Sequence, residues 1–139
     1  MVVNAEAEGR VVMVETKLWE SASVALVDRW RAFTLGSFLL GTGGRSTWFL
    51  FTPAKTFAGM TAAHPWDDVP VGTPLGPYSR QGAGGAYVRS FTSGFVAVNP
   101  GGAAVSVSLP AGSWRNLQGQ TQTGTLSLAA RTASIWVRS

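Results

Sequence analysis

Cysteine is absent from the 139-residue sequence, which excludes thiol nucleophiles, disulfide staples and thiolate zinc sites. Charge is scarce: Asp, Glu, Lys and Arg make up 13% of the chain, about half the usual share. No run reaches about 18 uninterrupted apolar residues, so no membrane span and no membrane partner are expected. Met1 to Arg10 has no basic segment followed by an apolar one, and no secretory signal is read there. Carboxylates are missing after Asp68, so residues 1–68 carry a net charge of −1 and residues 69–139 a net +5. The five arginines of the second half, Arg80, Arg89, Arg115, Arg131 and Arg138, are spread out rather than clustered. That dispersal argues against a nucleic-acid partner.

What the chain has is apolar surface and turns. Hydrophobic residues reach 45% and aromatics 11%, with 17 Gly and 7 Pro, a balance that favours short strands over a helical bundle. Arg10 to Thr16 (RVVMVET) reads as a β-branched strand buried on both faces. Ser21 and Ser23 offer N-caps for a helix over Val24 to Leu40, with Leu26, Trp30, Phe33 and Leu40 on one stripe. Gly41, Gly43 and Gly44 are expected to end it, before a second apolar strand, Ser46 to Thr52 (STWFLFT). Gly41 to Arg45 follows a helix and lacks the Lys-Ser/Thr pair, so it is a helix stop and not a phosphate loop. A strand-helix-strand unit implies parallel pairing. Two strands cannot cover their own apolar faces, so an incomplete sheet that self-associates or meets other polypeptide is expected.

Pro53 to Gly85 is a long irregular passage with five of the seven prolines and the Asp67-Asp68 pair. After it, short alternating runs at Ala86 to Phe91, Gly94 to Asn99, Ala104 to Leu109, Ser113 to Leu117, Thr125 to Leu128 and Thr132 to Arg138 are separated by turn residues. They predict an antiparallel β-sandwich. Trp19, Trp30, Trp48, Trp114 and Trp136 are expected to be core or interdomain residues, with Trp114 the most exposed. No Gly-x-Ser-x-Gly elbow occurs, which disfavours a serine hydrolase.

RWRAFTLGSFLLGTGG, STWFLF, HPWDDVPVGTPLGPY and YVRSFTSGFVAVNP, between Arg29 and Pro100, resemble the C-terminal part of bacterial glycoside hydrolases. The nearest group is hypothetical glycosyl hydrolase family 15, a (β/α)8-barrel group with a β domain behind the barrel. The resemblance implies that Arg89, Gly94, Asn99 and Pro100 form the hairpin that opens this β domain. It further implies that Arg10 to Thr16, Val24 to Leu40 and Ser46 to Thr52 are the seventh strand, seventh helix and eighth strand. The expected fold is then the last βαβ unit of an incomplete (β/α)8 barrel in residues 1–76, followed by an antiparallel β-sandwich domain in residues 77–139. Met1 would then be an internal start, a mispredicted start or the edge of an incomplete gene.

Glycoside hydrolysis usually needs two carboxylates about 5 to 10 Å apart. Under the barrel reading Glu15 lies at a strand's C-terminal end, where barrel enzymes build their sites, and is the candidate catalytic residue. Lys17 follows on the same side, and Trp66, Asp67 and Asp68 lie in the loop after the second strand. These four are the candidate substrate-binding residues, Trp66 as a sugar-stacking platform. The alternative roles are a helix cap or ion pair for Glu15 and turn formation for Asp67. His64 with Asp67 and Asp68 on one loop is too thin a ligand set to read as a metal site, and no cofactor is expected. The leading expectation is a fragment of an enzyme acting on O-glycosidic bonds of a carbohydrate, inactive alone because the main carboxylates lie elsewhere. The rival is a non-enzymatic carbohydrate-binding or structural β-sandwich module.

Overall fold

The computed structural model describes residues 2–19, 21–44, 47–53, 64–82 and 84–139. Arg45 and Ser46, expected in the helix stop and the second strand, and residues 54–63 of the long passage lie outside them. In chain order the described residues form α1 (Val2–Ala7), β1 (Val12–Lys17), α2 (Val24–Gly41), β2 (Thr47–Thr52), β3 (Ser79–Arg80), β4 (Tyr87–Ser90), β5 (Gly94–Asn99), β6 (Val105–Ser108), β7 (Trp114–Asn116), β8 (Thr121–Gln122), β9 (Thr125–Leu128) and β10 (Thr132–Arg138).

The centre of the protein is a six-stranded antiparallel sheet in the order β3-β4-β5-β10-β7-β8. Its period-two alternation divides the core between two faces. Phe95 and Ala97 of β5 and Trp136 of β10 point one way and join Val107, Leu109, Trp114 and Leu128 under the antiparallel β6-β9 ribbon. Val96, Val98 and Ile135 point the other way and meet Leu35 and Leu39 of α2. Every residue of β5 is buried because both faces of this strand are covered.

Helix α2 begins at Ser23, whose Oγ accepts from the Leu26 N–H at 3.4 Å, and its C-cap is Thr42. Its buried face is Arg31, Ala32, Leu35, Gly36 and Leu39, not the expected stripe through Leu26, Trp30, Phe33 and Leu40. Small residues explain the difference: an added Cβ at Gly36 would lie 2.8 Å from Ala133 Cβ and 3.1 Å from Val98 Cγ2. The helix therefore approaches the sheet along Ala32 and Gly36, and Trp30 turns outward, 38% exposed.

Strands β1 and β2 pair in parallel, Val12 with Thr47 through Lys17 with Thr52. They lie against α2 through Phe49, whose ring is 5.4 Å from that of Phe38, and through Phe51 beneath the Arg31 guanidinium.

The expected fold class is corrected by this architecture. Among the described residues the chain is mainly antiparallel sheet with two helices, and the β1-β2 pair has no third parallel strand there and is no barrel unit. A strand, an apolar helix and a second strand read alike in either setting. Here a long-range contact decides, because the close-approach face of α2 is spent on the antiparallel sheet. The barrel positions assigned to Arg10–Thr16, Val24–Leu40 and Ser46–Thr52 fall with it.

Candidate functional site

The loop entering the antiparallel sheet is fastened at two points. The His64 N–H donates to Asp67 Oδ2 at 2.8 Å and the Asp67 N–H donates to the His64 carbonyl at 2.9 Å, a closed turn of the kind Asp favours. Asp67 Oδ1 then accepts from Arg31 Nη1 at 2.9 Å. The Arg31 side chain is 4% exposed and that of Asp67 36%, so the loop brings a half-exposed carboxylate to a buried cation. Burial draws the Arg31 guanidinium below its ordinary pKa, and the nearby charges of Asp67 and Asp28 oppose that shift. The Trp66 indole donates to the Leu117 carbonyl at 3.2 Å, and its ring packs into the core on the helix side of the sheet.

His64 stands edge-on to Trp66, ring centroids 5.0 Å apart, with Nδ1 accepting from the Trp66 N–H at 3.2 Å. That acceptor role requires the neutral ring nitrogen. The histidine pKa is lowered in the same sense, first by burial and then by the positive charge of Arg31. Trp66 and Asp67 thus hold the loop on Leu117, just after β7, and on α2, while Asp68 is exposed beside them.

Glu15 lies elsewhere. Alternation along β1 and β2 turns Val12, Val14, Phe49 and Phe51 toward α2 and leaves Met13, Glu15, Trp48 and Leu50 on the outward face. Glu15 is exposed and accepts from Thr52 Oγ1 at 3.2 Å. Lys17, two residues on, holds its Nζ 4.4 Å from the centroid of the Trp19 ring, a cation-π contact. Glu15 and Asp67 therefore stand on opposite sides of the β1-β2 ribbon, and no acid-base pair forms between them. Glu6 is also engaged: its Oε1 accepts from Thr42 Oγ1 at 2.8 Å and from Thr47 Oγ1, and its Oε2 from the Gly43 N–H.

The outward ribbon face carries what sequence reading missed. Trp19 is 67% and Trp48 57% exposed, with Met13 at 79%, whereas Trp114, expected to be the most exposed, is 2% exposed under the β6-β9 ribbon. In the unbroken apolar run of STWFLFT nothing distinguishes the outward Trp48 from the inward Phe49.

The hairpin residues of the quoted resemblance have structural duties. Arg89 on β4 caps the end of α2, donating from Nη1 to the carbonyls of Leu39, Leu40 and Thr42 and from Nε to that of Gly76 at 2.8 Å. The Asn99 amide donates to the carbonyls of Ala103, Leu128 and Ala129 and accepts from the Gly101 N–H. Gly94 lies so close to Val71 that an added Cβ would be 2.6 Å from the Val71 Cβ.

No protein-family model matches the chain, and no curated protein matches it in sequence. Among solved structures, a beta-galactosidase from Bacillus circulans sp. alkalophilus is similar at 21% identity and a TM-score of 0.33, over 40% of this chain and 9% of that one. The chain thus corresponds to a small part of that neighbour's length.

Proposed function

We propose that this chain is a non-catalytic, carbohydrate-associated β module of a glycoside hydrolase acting on O-glycosidic bonds, whose main catalytic carboxylates lie outside it. The observation that carries this reading is the outward face of β1-β2. It presents the Trp48 ring to solvent on a strand beside Glu15, an arrangement suited to stacking a sugar ring and accepting its hydroxyls. The carboxylates favour binding over catalysis: Glu6 and Asp67 serve as fasteners, and Glu15 accepts from Thr52 Oγ1. Affinity electrophoresis through gels containing xylan, mannan, galactan or starch tests the reading. At least one polysaccharide is expected to retard the protein, and Trp48→Ala to weaken that retardation roughly tenfold, the effect of losing one stacked ring. Retardation that Trp48→Ala leaves unchanged sinks the assignment of this face.

The same face favours a second reading, association with another copy. Met13, Trp48 and Leu50 are all exposed, and the free edge of β1 pairs with no other strand among the described residues. Antiparallel pairing of two β1 edges about an axis at Thr16 sets Glu15 opposite Lys17 of the second copy, twice over, and so joins opposite charges. Sedimentation equilibrium is expected to give the dimer mass, with Glu15→Lys reducing it to monomer. A monomer throughout the micromolar range contradicts this reading.

A further inference from the structure

A cavity of about 720 Å³ opens between α1, the C-terminal end of α2 and the 73–78 segment, and its lining includes none of Met13, Glu15, Trp48 and Leu50 of the outward β1-β2 face. Its volume is that of an ordinary small-molecule site. The lining combines three kinds of surface. Leu40, Pro74 and Pro77 are apolar, the Tyr78 ring is 48% exposed, and Glu6 and Arg89 are charged. Tyr78 is braced edge-on by Tyr87, ring centroids 5.9 Å apart, so its orientation is held by packing.

The charged pair narrows the ligand class. Arg89 directs Nε and Nη1 to backbone carbonyls, while its Nη2 makes no hydrogen bond to a described residue and keeps donor capacity. One cation and one carboxylate leave the cavity with no net charge, so an ion of either sign gains little there. A neutral ligand rich in hydroxyls meets a donor on Arg89 and the aromatic and proline faces against its C–H groups, while Glu6 stays bound to Thr42, Thr47 and Gly43 and balances the charge.

The geometry points to this cavity as a second saccharide site, sized for a neutral mono- or disaccharide with one ring on Tyr78. The inference rests on the carbohydrate reading above for its choice of probes, and its variants separate the two. Tyr78→Ala removes an exposed ring. Gly76→Phe sets a side chain at the rim, where an added Cβ meets nothing within 4 Å.

NMR titration of the full chain with lactose, cellobiose, maltose and xylobiose, and with inorganic phosphate as an ionic control, tests it. At least one disaccharide is expected to shift the Tyr78 ring resonances, with affinity falling roughly tenfold in Tyr78→Ala as judged from backbone amides. Gly76→Phe is expected to abolish binding, and Trp48→Ala to leave it unchanged. The site is overturned if no disaccharide shifts Tyr78, if phosphate binds in their place, or if both cavity variants bind like the parent. Loss of polysaccharide retardation without loss of the Tyr78 response removes the outward face alone; the reverse removes the cavity alone.

Discussion

Replacing Gly36 by leucine is expected to destabilise the protein by about 2 kcal/mol. Two effects of opposite sign set the figure. Overpacking a close-packed contact costs about 3 kcal/mol, and the new Cβ alone would sit 2.8 Å from Ala133 Cβ and 3.1 Å from Val98 Cγ2. Removing a glycine from a helix interior returns about 1 kcal/mol of propensity. Gly41→Ala separates the two, because a Cβ there meets Val2 Cβ at an ordinary 3.5 Å. It is expected to be neutral or slightly stabilising. Urea denaturation checks both, and a stable Gly36→Leu would show that α2 does not rest on the antiparallel sheet along this line.

Asp67→Ala is expected to cost about 2 kcal/mol. Leaving a buried charge without its partner costs about 3–5 kcal/mol, and the figure is reduced here because the Asp67 carboxylate is 36% exposed and partly screened by water. Arg31 has little in reserve: its Nε is buried without a hydrogen-bond partner, and its remaining support is the nearby charge of Asp28 and the Phe51 ring 4.7 Å away. Arg31→Met combined with Asp67→Ala is expected to recover most of the loss, since an apolar side chain suits the site better than an unpaired cation. Thermal melts of the two single variants and the double variant complete the cycle. A double variant as unstable as Asp67→Ala would mean that Asp67 acts on its own turn and not through Arg31.

The strands from Tyr87 onward were legible because polar and apolar residues alternate between strong turn signals, and Gly94–Asn99, Thr125–Leu128 and Thr132–Arg138 stand where the alternation puts them. Ser79–Arg80 and Thr121–Gln122 were not, since two polar residues carry no period. The burial of α2 was misread because the helix has partners on two sides, the β1-β2 ribbon and the antiparallel sheet. A helix apolar nearly all round has no single stripe to find. The parallel pairing of β1 and β2 was readable from the strand-helix-strand order, but what α2 packs against depends on residues a hundred positions away. In the candidate site the residue types were visible and their duties were not. The partners of Asp67 and Trp66, Arg31 and Leu117, lie 36 and 51 positions away and leave no local signal, and the outward turn of Trp48 is set by its alternation with Phe49, which α2 covers.

The proposed function has this chain bind carbohydrate without cleaving it. One preparation of the purified chain tests this directly, run through polysaccharide gels and incubated with a panel of aryl glycosides. Migration slowed by at least one polysaccharide, with no phenol released from any glycoside, is the predicted result. Released phenol, or migration that no polysaccharide slows, would contradict it.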